Sequence, residues 1–222
     1  MTLPRPVQAV VFDMDGLLID SEAVYREALE ATAAQRNLDL PASVTRQMIG
    51  LIWPESSRVL IEHFGPGFDA EEFRQAVIHN FYGIERAEVA LKDGVVEILE
   101  TLERLGLPCA IATSSPRGSV EHHIGGHGLL ERFQAIVAAG ECARSKPAPD
   151  PFLKAAQLLG VDPRDCLALE DSHNGVRAAS SAGMMTIMVP DLLDDNAEMH
   201  SLCIRIVRDL HEVAQLLDRQ TA

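Results

Sequence analysis

The chain has 222 residues, of which 47% are hydrophobic and 23% are charged, so it can bury a core as one large domain or two small ones. Its 33 acidic and 19 basic residues give a net charge of −14. This charge argues against nucleic acid or an anionic membrane as a partner, because both are bound through clustered Lys and Arg. No segment approaches the length of a membrane span, and the four cysteines are widely spaced. We therefore expect a cytoplasmic protein with reduced cysteines, and a monomer.

The first predicted element is a buried strand over Val7–Phe12, a short apolar run rich in β-branched residues. It ends at Asp13 and Asp15, whose i, i+2 spacing lets both carboxylates point to one side of an extended chain, and Gly16 follows. Ligands of open α/β sheets bind beyond the carboxyl ends of the strands, although Asp and Gly are also ordinary turn formers. The end of this strand is therefore either a binding site or a solvated turn.

The next stretch contains no run that resembles a buried strand. Its Ala-, Glu- and Leu-rich pattern predicts helices over 22–36, 44–48, 55–63 and 70–81, with breaks at Gly50, at Trp53-Pro54 and at 65–67. We predict an inserted all-helical domain over 18–90, between core segments 1–17 and 91–222.

Strands alternate with helices through the rest of the chain. The predicted strands cover 107–112, 134–139, 166–169, 185–189 and, more weakly, 204–207. One intervening helix has an apolar face of Val95, Ile98, Leu99 and Leu102 and ends at Gly106. Ser115-Pro116 and Asp150-Pro151 each predict an N-cap followed by the first helical residue, and Asp209 with Glu212 predicts a capping pair. This alternation indicates an α/β protein with a doubly wound, parallel, Rossmann-like sheet.

Polar side chains follow three of the predicted strands. Asp13 and Asp15 are joined by Thr113 with Ser114 and by Glu170 with Asp171, and Lys146 lies in the loop after the third strand. In a parallel sheet these strand ends lie at one edge, where four carboxylates would repel one another unless a cation neutralised them. Oxygen ligands without His or Cys favour Mg²⁺. The lysine, the hydroxyls and the amides of a helix start suit a phosphate dianion.

These residues resemble the four motifs of the haloacid dehalogenase-like hydrolase superfamily. The matching segments are Asp13-x-Asp15-Gly16, Thr113-Ser114-Ser115, Lys146-Pro147-x-Pro149-Asp150 and Glu170-Asp171-Ser172-x-x-Gly175. The resemblance is nearest to the branch of sugar-phosphate phosphatases and β-phosphoglucomutase-like enzymes with a helical cap. It implies a Mg²⁺-dependent phosphatase that acts on a small phosphate monoester, such as a sugar phosphate or related metabolite, through an aspartyl-phosphate intermediate.

The resemblance also implies roles for single residues. Asp13 would be the nucleophile, and Asp15 the general acid and then the general base. The phosphate would be held by Thr113, Ser114 and Lys146. The metal would be held by Asp13, by the backbone carbonyl of Asp15 and by Asp171, with Glu170 either a ligand or one step removed. The alternatives without a part in catalysis are a solvated Lys146, a strand-end hydroxyl at Thr113 and an N-cap role for Asp171.

Three alternative functions remain to be weighed, and the role of Trp53 is undecided. The dehalogenase branch lacks the second aspartate, so Asp15 argues against it. Mutases of this type carry a histidine about ten residues after that aspartate, where this chain has Tyr25, which favours hydrolysis. A non-catalytic sugar-phosphate sensor would not need both Asp13 and Asp15. Trp53, the only tryptophan, either meets the substrate or fills the core of the helical domain.

Overall fold

The computed structural model describes residues 3–48, 51, 53–84, 89–191 and 193–220. In chain order its strands are β1 (Ala9–Phe12), β2 (Cys109–Ala112), β3 (Ala135–Val137), β4 (Cys166–Glu170), β5 (Met185–Met188) and β6 (Arg205–Ile206). Its helices are α1 (Ser21–Gln35), α2 (Ala42–Met48), α3 (Trp53–Phe64), α4 (Ala70–Ile84), α5 (Val95–Leu105), α6 (Arg117–Gly126), α7 (Asp150–Leu159), α8 (His173–Ser181), α9 (Ala197–Leu202) and α10 (Leu210–Asp218). The predicted α/β class is confirmed.

The six strands form one parallel sheet in the order β3-β2-β1-β4-β5-β6. β1, β2, β4 and β5 are buried along their whole length, as expected for parallel strands covered on both faces. Because β2, β1 and β4 are neighbours, the residues that follow their carboxyl ends meet at the middle of one edge. Backbone bonds fix two of these ends, since Asp13 N donates to Leu169 O at 3.0 Å and Thr113 N donates to Val137 O at 2.9 Å.

Small side chains bring the helices close to the sheet. Phe152, Ala155 and Ala156 of α7 are fully buried against Val11 of β1 and Ala110 of β2, in one apolar cluster. On α5, the predicted face of Val95, Ile98, Leu99 and Leu102 is buried, and the helix ends at Gly106 in the left-handed region. The predicted apolar face of α5 is confirmed.

The chain divides into two compact units, Met1–Ile19 with Ala90–Ala222 and Asp20–Val89. The predicted boundaries lie after residues 17 and 90. Helices α1 to α4 make up the second unit, whose core includes Leu29, Leu60, Phe73 and Val77. Among the described residues, no helix is both long enough and apolar enough to cross a membrane.

Three predicted local features of the helices are wrong. Helix α6 begins at Arg117 with Pro116 as N-cap, and α7 begins at Asp150 rather than one residue later. Trp53-Pro54 does not break the insertion but opens α3, because proline is tolerated in the first turn of a helix. Gly50, another predicted break, lies outside the described residues. The predicted cap at Asp209 is confirmed, because its side chain accepts from Glu212 N at 3.0 Å.

Candidate active site

Three carboxylates meet at the carboxyl ends of β1 and β4. Asp13, Glu170 and Asp171 each offer an oxygen, and these oxygens lie within 4.8 Å of one another. Asp13 is 6% exposed and Glu170 is fully buried, whereas Asp171 is only partly buried. Anionic groups this close and this poorly hydrated repel one another unless positive charge compensates them.

Lys146 supplies part of that charge. Its Nζ lies 2.5 Å from Asp13 Oδ1 and 2.5 Å from Glu170 Oε1, and its side chain is 6% exposed. The same ammonium lies 4.9 Å from the ring centroid of Phe152, which covers it from the apolar side. Lys146 is therefore part of the cluster, and the alternative of a solvated loop lysine is wrong. One ammonium still faces three carboxylates, so the described cluster keeps an excess of negative charge.

The pKa values of the cluster reflect this imbalance. Burial raises the pKa of Asp13 to about 7. Lys146 opposes the rise, and Glu170 and Asp15 add to it. Burial, followed by the charges of Glu170 and Asp13, raises the pKa of Asp171 well above its usual range. Burial also disfavours the ammonium of Lys146, but Asp13 and Glu170 outweigh it and raise the pKa of this lysine. The cluster thus holds protons readily in the absence of another cation.

The donor set fits a divalent hard cation. All three groups offer carboxylate oxygens, the ligands that Mg²⁺ prefers, and the charge they carry is what such an ion would neutralise. Glu170 is the least available of the three, because Lys146 occupies Oε1 and Ser172 donates to Oε2 from both N and Oγ, each at 3.0 Å. The geometry leaves Asp13 and Asp171 as the better direct ligands, with Glu170 as the anchor of Lys146 and of the α8 start.

The start of α8 is built around Glu170. The N-cap of this helix is Ser172, whose Oγ accepts from Gly175 N at 3.1 Å, so the alternative of Asp171 as N-cap is wrong. A Cβ at Gly175 would overlap the Glu170 carboxylate. The small residue of the fourth motif therefore makes room for the buried acid.

A tight turn after β1 sets the position of Asp15. Met14 O accepts from Leu18 N at 2.8 Å, and Gly16 has φ +78°, a conformation that favours glycine. The Asp15 carboxylate then meets the end of β2. Its Oδ2 accepts from Ser115 Oγ at 2.7 Å and from Thr113 Oγ1 at 3.2 Å.

Three polar residues near the site were missed by the sequence analysis or given another role. Ser115 was interpreted as a helix cap, but its side chain donates to Asp15. Asp191, beyond the end of β5, has Oδ2 3.4 Å from the place of a Cβ on Gly16, and its Oδ1 accepts from Lys92 Nζ at 2.6 Å. No local pattern marks Asp191 or Lys92, because 99 residues separate them in the chain.

The remaining predicted site residues are Ser114, Tyr25 and Trp53. Ser114 is exposed beside Thr113. Tyr25 and Trp53 belong to the helical unit and pack against its apolar core. The ring centroid of Tyr25 lies 6.0 Å from that of Phe81, and Trp53 Nε1 donates to Glu71 Oε2 at 2.9 Å.

Comparisons with protein families, with related sequences and with solved structures all match this chain to hydrolases or phosphatases. A family model described as haloacid dehalogenase-like hydrolase matches residues 7–183. The chain is 38% identical over 193 residues to a probable pseudouridine-5′-phosphatase from Drosophila melanogaster, covering 84% of this chain and 83% of the relative. It is 33% identical over 198 residues to hexitol phosphatase B from Escherichia coli K12, covering 86% of both chains. A crystal structure of a hydrolase from Deinococcus radiodurans R1 with bound phosphate and sodium superposes with a TM-score of 0.81 at 28% identity, covering 97% of both chains.

Proposed function

The chain belongs to the haloacid dehalogenase-like hydrolase family, and from that premise we propose that this phosphomonoester hydrolase is a Mg²⁺-dependent phosphatase of small metabolites. The proposed substrates are sugar phosphates and related compounds, a class suggested by the names of the pseudouridine-5′-phosphatase and hexitol phosphatase relatives. The observation that carries the proposal is the cluster of Asp13, Glu170 and Asp171, in which the buried ammonium of Lys146 contacts Asp13 and Glu170. This arrangement keeps an excess of negative charge, which a bound cation would neutralise, and the cation together with Lys146 would then attract a phosphate dianion.

The first half of the proposed reaction forms a bond to Asp13. A carboxylate oxygen of Asp13 attacks phosphorus, and the bond from phosphorus to the ester oxygen breaks. Asp15 gives its proton to that departing oxygen, so that the product is a neutral alcohol and Asp15 is left as a carboxylate. The result is an aspartyl phosphate on residue 13.

The second half uses Asp15 in the opposite direction. Its carboxylate takes a proton from a water molecule that attacks the aspartyl phosphate, which releases inorganic phosphate and restores both aspartates. Asp15 is suited to both steps because the hydroxyl of Ser115 rather than the ammonium of Lys146 holds its carboxylate. Environment can thus separate the tasks of two nearby carboxylates.

The negative charge of the phosphoryl group would be stabilised by protein side chains and by the bound cation. Lys146 lies against Asp13, and the hydroxyl of Thr113 and the loop at Ser114 follow β2 at the same edge of the sheet. Bound Mg²⁺, held by Asp13, Asp171 and the carbonyl of Asp15 with Glu170 behind them, would polarise the phosphoryl oxygens. Uncatalysed hydrolysis of phosphate monoesters is so slow that enzymes accelerate it by up to about 10²¹-fold, and electrostatic stabilisation must supply much of this.

The decisive experiment tests Asp13. The wild-type protein with Mg²⁺ should hydrolyse 4-nitrophenyl phosphate, and Asp13→Asn should lower kcat by more than about 10³-fold, because the amide does not attack phosphorus. Acid-quenched wild type should carry phosphate on the peptide that contains residue 13. The matched control is Asp195→Asn, which changes an exposed carboxylate of the same unit and should keep full activity.

The same assay separates the alternatives. A mutase would return the phosphoryl group to a sugar instead of releasing inorganic phosphate, and a sensor would bind sugar phosphates without turnover. Tyr25, in place of the mutase histidine, packs against Phe81, and we therefore propose hydrolysis. An active Asp13→Asn variant would refute the proposed mechanism. A panel of phosphorylated sugars, nucleotides and glycolytic acids, ranked by kcat/KM, would then narrow the substrate class.

A further inference from the structure

Two hydroxyl groups converge on one oxygen of Asp15. Ser115 Oγ lies 2.7 Å from Asp15 Oδ2, the usual length of an O–H···O bond, whereas Thr113 Oγ1 lies 3.2 Å from the same oxygen. Ser115 is therefore the closer and stronger of the two donors.

The hydroxyl of Thr113 does not serve two acceptors at once. The oxygen of this hydroxyl accepts from Ser115 N at 3.0 Å. Its single proton can be donated to only one acceptor, either Asp15 or another group. In the proposed function that proton goes to an oxygen of the phosphoryl group. Once substrate is bound, Ser115 is the hydroxyl that remains on Asp15.

The backbone holds Ser115 in place for this contact. Its N–H donates to Thr113, and its carbonyl accepts from Ala139 N at 2.9 Å. The neighbouring helix does not use its side chain, because α6 begins at Arg117 with Pro116 as N-cap and no side-chain cap bond. A fixed backbone leaves only the side-chain rotamer to be ordered, so the bond to Asp15 costs little conformational entropy.

We infer that Ser115 is a positioning residue for the proton transfers of Asp15, an inference that rests on the proposed function. Its O–H donates to Oδ2, so the acidic proton of Asp15 is carried on Oδ1, and the carboxyl plane is fixed. When Oδ1 has given its proton to the departing oxygen, the same bond stabilises the carboxylate until it takes a proton from water. Ser115 itself gains and loses no proton in either step.

The test compares two leaving groups, phenolate and 4-nitrophenolate, that have the same aromatic ring and differ only in a nitro group. Phenolate, from an alcohol with a pKa of about 10, needs a proton as it departs far more than 4-nitrophenolate does. The kcat/KM value reports only the steps up to release of the alcohol. For Ser115→Ala we expect kcat/KM to fall about tenfold with phenyl phosphate and less than about threefold with 4-nitrophenyl phosphate.

Two further variants guard against a purely structural effect. Ser115→Thr keeps the hydroxyl and should keep the wild-type ratio of the two kcat/KM values. Ser115→Cys keeps the size with a weak donor and should give an intermediate ratio, which tests the inference even if the alanine variant does not fold. Ser119→Ala, in α6, is the matched serine control and should match wild type. Thermal unfolding of each variant verifies the fold.

The outcomes distinguish this inference from the proposed function. An active wild type with equal losses on both substrates in folded Ser115→Ala or Ser115→Cys, or with no loss on phenyl phosphate, overturns the positioning role alone. A wild type that is inactive on both substrates with Mg²⁺ overturns the proposed function, and the inference with it.

Discussion

Asp13, Glu170 and Asp171 show, at the scale of single residues, how burial and charge oppose each other. Asp13 contacts the ammonium of Lys146 at 2.5 Å, yet burial raises its pKa to about 7. A nearby cation ordinarily lowers the pKa of a carboxylic acid, so desolvation and the neighbouring carboxylates outweigh the lysine here. The arrangement favours protons over ionised carboxylates until another cation arrives.

This imbalance predicts how stability depends on pH without metal. The pKa of Asp13 is about 7 in the folded chain against 3.8 for the unperturbed group, so between these values the folded state binds more protons than the unfolded state. The stabilising contribution of the protonated acid is therefore lost as pH rises from about 4 through 7. The raised pKa of Asp171 acts in the same direction.

Mg²⁺ should reverse this loss. We expect MgCl₂ to raise Tm little at pH 5 and clearly at pH 7.5, by the equivalent of about 2.7 kcal/mol at 100 times Kd. Thermal unfolding with MgCl₂ or chelator at both pH values measures the effect, and Asp171→Asn should remove most of it, while Asp195→Asn should not. An increment that is absent, or equal at both pH values, would contradict a metal site at this cluster.

The amino-terminal end of α8 shows, at the scale of elements, why a helix start forms one wall of the site. Ser172 serves two groups at once, because its Oγ accepts from Gly175 N and donates to Glu170 Oε2. The helix therefore begins where the buried acid can be satisfied. The backbone approaches Glu170 closely because residue 175 has no Cβ.

Gly175→Ala should therefore be harmful despite the better helix propensity of alanine. We expect a loss of about 1–3 kcal/mol in the free energy of unfolding, together with reduced activity, because the new methyl group displaces Glu170 and with it Lys146. Urea unfolding and kcat/KM measure the two effects. The control is Gly126→Ala in α6, where a Cβ meets nothing within 4 Å and no stability loss is expected. Equal behaviour of the two variants would refute the close-packing explanation.

At the scale of the whole molecule, the chain divides into two units that hold different predicted site residues. The acidic cluster, Lys146, Thr113 and Ser115 all belong to the α/β unit, and Tyr25 and Trp53 belong to the helical unit. Trp53 packs against the apolar core of that unit, donates to Glu71 and has the guanidinium of Arg74 5.1 Å from its ring centroid. These contacts support the interpretation of Trp53 as a structural residue.

Trp53→Ala should therefore destabilise the helical unit without changing substrate choice. A fully buried tryptophan costs about 3–5 kcal/mol on truncation, and this one is only partly buried, so we expect about 2–3 kcal/mol. Trp53→Phe, which keeps an aromatic ring but loses the bond to Glu71, should cost less. Denaturant unfolding and the ranking of the phosphate panel measure the two effects. A changed ranking with unchanged stability would show that Trp53 meets the substrate.

The sequence alone determined the alternating elements, the sheet class and the strand ends that carry the acids. These features depend on local periodicity and on the rule that parallel strands share one edge, and both can be seen in short windows of the chain. Asp13, Asp15, Thr113, Lys146, Glu170 and Asp171 were all identified in this way, and the structure brings them to one edge of the sheet.

Only the tertiary structure decided which hydrogen-bond or ion-pair partner each polar side chain has. Ser115 was predicted to cap a helix that begins next to it, but its hydroxyl binds a carboxylate 100 residues away in the chain. Both partners are chemically suitable, because a hydroxyl can accept from a helix N–H or donate to a carboxylate, and the neighbouring sequence contains only the helix N–H. The same holds for Glu170, whose oxygens are occupied by Lys146 and Ser172, and for Lys92 with Asp191. A polar group bonds to whichever partner the packed fold places within about 3 Å, and that placement is a property of the sheet rather than of any one segment.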